Sequence, residues 1–146
     1  MPPTSTGRRR AAVASAIAAS ASRRERIGAA VFGPAWAELR GAGRRVATFV
    51  AEPSEALDPN LCRKGEDYSL HGRGGSVTRT EIVLEEFLDG AALLAPRPFL
   101  TLRLHPKSRP EDYAPYLGEF DLVSQGGSAA RLVFASDLAA GMTSML

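Results

Sequence analysis

The chain has 146 residues, 45% of them hydrophobic and 23% charged, with a formal net charge of +2. That is enough for one domain with its own core, and no apolar run approaches the length that crosses a bilayer. A single cysteine, Cys62, excludes an internal disulfide and a multi-cysteine zinc site, and two histidines, His71 and His105, argue against a histidine metal centre; neither metal nor cofactor is expected.

The charge is unevenly spread. Residues 1–46 carry nine Arg against Glu25 and Glu38, whereas the remainder carries nine basic against fourteen acidic side chains. A basic block of this kind meets nucleic acid or an anionic surface, although a solvated helix is the commoner meaning of such a run. Residues 1–7 are Pro, Ser, Thr and Gly after Met1 and are expected to be disordered. Residues 8–26, rich in Ala, Ser and Arg, favour a helix in which only Val13 and Ile17 are large and apolar. A short apolar patch follows at Ile27, Val31, Phe32 and Trp36, then the punctuation Gly41-Ala42-Gly43. Residues 1–45 therefore read as a basic segment, partly disordered or helical, ahead of an α/β domain over 46–146.

From Val46 the pattern changes. Val46–Ala51 is apolar almost throughout, as a strand buried on both faces should be. Residues 52–77 form a polar, Gly-rich loop of about 25 residues, a length that usually means function. Thr78-x-x-Glu81 is a capping box, and Val83, Leu84, Phe87, Leu88 and Ala91 recur behind it at helical spacing. Phe99–Leu104 predicts a second strand. Ser108-x-x-Glu111 predicts another capped helix through Leu117, and Phe120–Val123 a third, short strand. Gly126-Gly127 marks a turn, Ser128 caps a helix through Ala135, and Asp137–Ala140 predicts a fourth strand. Strands alternating with helices mean a parallel, Rossmann-like sheet of about four strands with helices on its faces.

In such a sheet ligands sit at the carboxyl ends of the strands. His105-Pro106-Lys107 stands at one of these ends. Proline keeps His105 out of helical geometry, so the imidazole can face a phosphate or ribose, while Lys107 adds charge. Bonding to a neighbouring loop carbonyl is the ordinary alternative for that imidazole. Gly141 permits close backbone approach at another end, and Thr143 or Ser144 would open a helix able to receive an anion, or merely cap it. Glu52 and Glu55, past the first strand, could bind a sugar hydroxyl or act as a base, though loop carboxylates are mostly just exposed. Asp137, at an amino end, is expected to cap rather than catalyse. Gly72–Ser76 could cradle an anion but is neither a Walker loop nor a dinucleotide fingerprint, and no Gly-x-Ser-x-Gly nucleophile occurs.

The runs Val50-Ala51-Glu52-Pro53, Arg79–Leu84, Leu102–Lys107 and Ala135–Leu146, taken in this order, resemble the nucleotide-binding half of GT-B-type transferases. The likeness is to bacterial surface-polysaccharide proteins, including sialyltransferase-like and capsule enzymes, and runs from about Val46 to the end of the chain. It implies that His105 contacts the nucleotide of a CMP- or UDP-sugar donor and that Thr143 and Ser144 bind its phosphate. It also implies a cytoplasmic place and catalytic groups supplied by a separate acceptor-binding half. On that expectation the chain is a partial domain, inactive alone. The alternative is a noncatalytic α/β module whose basic N-terminal segment binds nucleic acid or anionic surfaces.

Overall fold

The computed structural model describes residues 5–52 and 64–142. Helix α1 runs from Ser5 to Phe32, so residues 5–7, expected to be disordered, are helical. Gly33, at φ 58°, ends it, and Pro34 opens α2 (Pro34–Gly41). A positive φ suits glycine, and proline's fixed φ suits a first helical position, so the corner is written into this dipeptide. The helices meet where the Trp36 indole lies over Gly28, at which any Cβ would collide with the ring.

Four strands follow: β1 (Val46–Val50), β2 (Phe99–Arg103), β3 (Leu122–Ser124) and β4 (Leu138–Ala140). All pair in parallel, in the order β3-β2-β1-β4. In register, Val46 faces Phe99, Val50 faces Arg103 and Phe49 faces Ala140. The connections contain α3 (Arg79–Ala92), a 3-10 stretch (Pro110–Glu119) and α4 (Ala129–Ala135). The chain is thus a Rossmann-like α/β protein with a long N-terminal helix.

Two local expectations shift. Ser108 does not cap the segment after β2. Pro110 occupies the first helical position, so Arg109 becomes the cap, and its N–H donates to Asp112 at 2.8 Å. The third strand begins later than Phe120, because the Asp121 carboxylate accepts the Leu100 N–H at 2.8 Å and holds the entry to β3.

Alternation of side chains gives each sheet face its own core. On one face Ala47, Phe49, Ala51, Leu100, Leu102 and Leu104 pack against Leu84, Leu88 and Ala91 of α3 and Tyr113 and Tyr116 of the 3-10 stretch. On the other, Val46 joins Phe32, Trp36, Leu39, Leu132 and Ala135, with Phe99 and Leu122 at its margin. Phe32 stacks on Trp36 at 5.6 Å and meets Phe99 edge-on at 6.0 Å. Among the described residues no helix is long and apolar enough to cross a membrane.

Candidate functional site

The strand order has a chemical consequence. The sequence β3-β2-β1 grows outward in one direction, then the chain returns to lay β4 on the other side of β1. This is the order of the first four strands in dinucleotide-binding sheets, in which the ligand crevice opens at the carboxyl ends where the order reverses. Here that point lies between β1, leaving at Ala51-Glu52, and β4, leaving at Gly141-Met142.

Gly141 sits close against β1. A Cβ there would lie 3.1 Å from the Val50 carbonyl oxygen, so a side chain would require the two strand ends to give by a few tenths of an ångström. The first turn of α3 covers the same crevice. Thr78 caps the helix, its hydroxyl accepting the Glu81 N–H at 3.3 Å and donating to the Glu81 carboxylate at 2.7 Å. Thr80, 4% exposed, points its hydroxyl at the Met142 sulfur, 3.6 Å away. Arg79 lies beside it with its guanidinium 5.4 Å from the centre of the Tyr68 ring. Its Nε is buried and has no hydrogen-bond partner among the described residues. Arg79, Thr80 and Tyr68 were not among the residues expected from the sequence. A signal was available for the first two: the residues just inside a capping box that follows a strand and loop return to the carboxyl edge.

His105 stands at the end of β2, on the same edge and on the other side of β1 from Gly141. With strands about 4.8 Å apart, the β2 and β4 ends are separated by roughly 10 Å. The Lys107 N–H donates to the imidazole Nδ1 at 3.1 Å, so the ring carries its proton on Nε2. The His-Pro-Lys turn therefore orients the ring through its own backbone, and Pro106 and Lys107 are exposed. Beneath it the Tyr113 hydroxyl donates to the Glu52 carbonyl at 3.1 Å, tying the β1 exit to the segment after β2. Burial pushes the Tyr113 phenol up to about 12, with Ser108 opposing, so it remains a neutral donor at ordinary pH. Glu52 is tied down by its main chain; Glu55, Thr143, Ser144 and Cys62 lie outside the described residues.

The Gly72–Ser76 loop does hold an anion, but one from the chain itself. The Arg73 N–H donates to Glu85 at 2.7 Å and the Gly72 N–H to Glu86 at 3.0 Å. Ser76 and Tyr116 hydroxyls complete the shell of Glu85 at 2.9 and 2.8 Å. Burial alone would raise the Glu85 pKa; the donors outweigh it and hold the carboxyl below its usual range. The Arg73 guanidinium then bridges Asp89 and Glu119, with closest approaches of 2.6 Å to each. These contacts strap residues 71–76 across α3 and the 3-10 stretch. Asp137 caps as expected: its carboxylate takes the Val46 N–H at 2.7 Å and the Arg24 guanidinium at 2.6 Å.

Among the described residues no cluster of His, Cys, Asp and Glu could hold a metal ion. Compared with protein-family models, curated proteins and solved structures, the chain matches none.

Proposed function

We propose that the carboxyl-edge crevice between β1 and β4 binds a nucleotide-linked ligand. In the finer form that the sequence resemblance implies, the ligand is a CMP- or UDP-sugar used in cytoplasmic steps of bacterial surface-polysaccharide synthesis, with transfer requiring a separate acceptor-binding partner. The observation that supports this reading best is the reversal of strand order at β1 and β4, with Gly141 held against the Val50 carbonyl under the first turn of α3. Gly141 would let a phosphate approach the backbone, and the Arg79 guanidinium could turn from Tyr68 to meet its charge. His105 Nε2–H, across β1, is suited to a ribose or base acceptor. Thr143 and Ser144 follow Met142 directly and would supply hydroxyls to the phosphate.

A nuclear magnetic resonance titration with CMP, CDP and UDP tests the reading. The expected result is a shift of the His105 ring and the Gly141 amide, larger with the diphosphates. Arg79→Gln should weaken the diphosphate about tenfold, the worth of one hydrogen bond to a charged group. Absence of shifts at both positions with all three nucleotides would overturn it.

A further inference from the structure

We propose that the N-terminal half of α1 is an arm that docks onto the phosphate backbone of nucleic acid. From Thr6 to Arg23 every side chain is exposed; Ile17, Ser20 and Ala21 border an open cleft beside Arg40 and Arg23 reaches Phe134, but partial burial against the body begins only at Arg24 and continues through Ile27, Gly28, Val31 and Phe32. The exposed part is about 27 Å long at the ordinary helical rise. No apolar face holds it down: its two large apolar side chains, Val13 and Ile17, are 59% and 65% exposed. A helix of that length in water is marginal without tertiary support.

Its charge identifies the partner. Arg8, Arg9 and Arg10 occupy the outer end, and no acidic residue precedes Glu25. None of their three side chains makes a hydrogen bond or ion pair among the described residues. They do not serve the helix itself, whose macrodipole favours acids in the opening turns. The inner arginines, in contrast, are engaged: Arg24 with Ala135 and Asp137, Arg23 over Phe134, Arg26 with Ser22. The remaining residues of the arm are mostly Ala and Ser, which leave the helix slender enough to lie in a groove about 12 Å wide.

Other occupants fit less well. A membrane-surface helix needs a broad face of Trp, Phe or Leu, and this arm has none of them. A second copy is a weaker target: Glu85, Asp89, Glu119, Asp121 and Asp137 of its body already have donors of their own, and the exposed Glu66, Asp67 and Glu111 do not form the continuous row of charges that a phosphate backbone offers. A chain of external phosphates satisfies three clustered guanidinium groups without competing for them.

The test compares the full chain with the Arg8→Gln/Arg9→Gln/Arg10→Gln variant by fluorescence anisotropy. Labelled duplex DNA and single-stranded RNA of about twenty nucleotides are titrated between about 50 and 200 mM salt, where counterion release dominates affinity. The parent should bind one or both, with affinity falling steeply with salt, and the variant should bind at least tenfold more weakly at the lowest salt. Its log–log salt slope should be shallower by about 3, one phosphate contact for each arginine. Circular dichroism should show the variant's fold intact. Four results would overturn the proposal: no binding to either oligonucleotide at low salt, equal slopes for parent and variant, tighter binding to phosphatidylserine vesicles than to oligonucleotides, or a salt-sensitive dimer that ignores oligonucleotides.

Discussion

The two faces of the sheet are made by alternate residues of the same strands, yet they differ in kind. The face under α3 is sealed with hydrocarbon: Phe49, Leu100, Leu102 and Leu104 are at most 2% exposed, and Phe87 closes on Phe49 at 5.6 Å between ring centres. The face under α1, α2 and α4 is graded. Its amino half holds Val46 among the Phe32, Trp36 and Leu132 side chains, but toward the carboxyl end it turns mostly polar, with Thr48, Thr101 and Arg103 buried beside Val50. There the Thr48 hydroxyl meets Ser136 at 2.7 Å, and the Arg103 guanidinium donates to Ser124, Gly126 and Gly127. The hydrocarbon face supplies cohesion. The polar half of the other face fixes the turn after β3 and the end of α4, which decides where β4 arrives beside β1.

Truncation on the hydrocarbon face should therefore cost most. Leu102→Ala removes a fully buried side chain between β1 and β3 and should destabilise by about 3–4 kcal/mol, read as a lower urea midpoint with unchanged slope. A loss below about 1 kcal/mol would mean that this face is not the main source of stability. Arg103→Met should cost less, about 2 kcal/mol, because the carbonyls it leaves can reach water at the edge. Its signature is local: faster amide exchange across residues 124–128, with the α3 amides protected as before. Uniform loss of protection would erase the distinction between the two faces.

Acid separates them again. The Glu85 carboxyl, on the α3 side, and the Asp137 carboxyl, on the other, are both held below their ordinary range by hydrogen-bond donors that outweigh burial. A carboxylate depressed in the folded state contributes stability above its unfolded pKa, about 4, and that contribution disappears as pH falls through the lower folded value. Stability should decline with acid from about pH 5 downward. Glu85→Gln and Asp137→Asn should each flatten part of that decline, measured as urea midpoints across the range. For Asp137→Asn, amide exchange should rise at the junction of α1, β1 and β4; for Glu85→Gln, across the strap at residues 71–76.

Sequence pattern was a good guide wherever local chemistry decides. The Thr78 capping box and the helical spacing behind it found α3, and unbroken apolar runs found β1 and β2. Pattern failed where a neighbour in sequence outranked it, as when Pro110 moved the cap from Ser108 to Arg109. It was blind to contacts made by distant segments: nothing around Gly72 announces that its loop wraps Glu85, and nothing in Arg79 alone places it over Tyr68. Of the expected site, His105, Glu52 and Gly141 lie at one edge of the sheet because three parallel strands end there. The orientation of His105 depends on a turn that the His-Pro pair only hinted at.

The smallest effect is the sharpest probe of the polar half-face. Thr101 is 0% exposed and its hydroxyl finds no partner among the described residues, whereas the neighbouring Thr48 hydroxyl has Ser136. A buried hydroxyl without a partner carries a desolvation cost with no return. Thr101→Val keeps the branched shape, so it should leave stability unchanged or raise it by up to about 1 kcal/mol, read from the urea midpoint. Thr48→Val breaks a made hydrogen bond and leaves Ser136 with only its contact to the Leu132 carbonyl; it should cost about 1 kcal/mol. Opposite signs for two threonines paired across adjacent strands would show that the polar half-face is stabilised bond by bond, not by its polarity. Equal losses would mean that Thr101 has a partner, such as a buried water, and that the two hydroxyls act as one network.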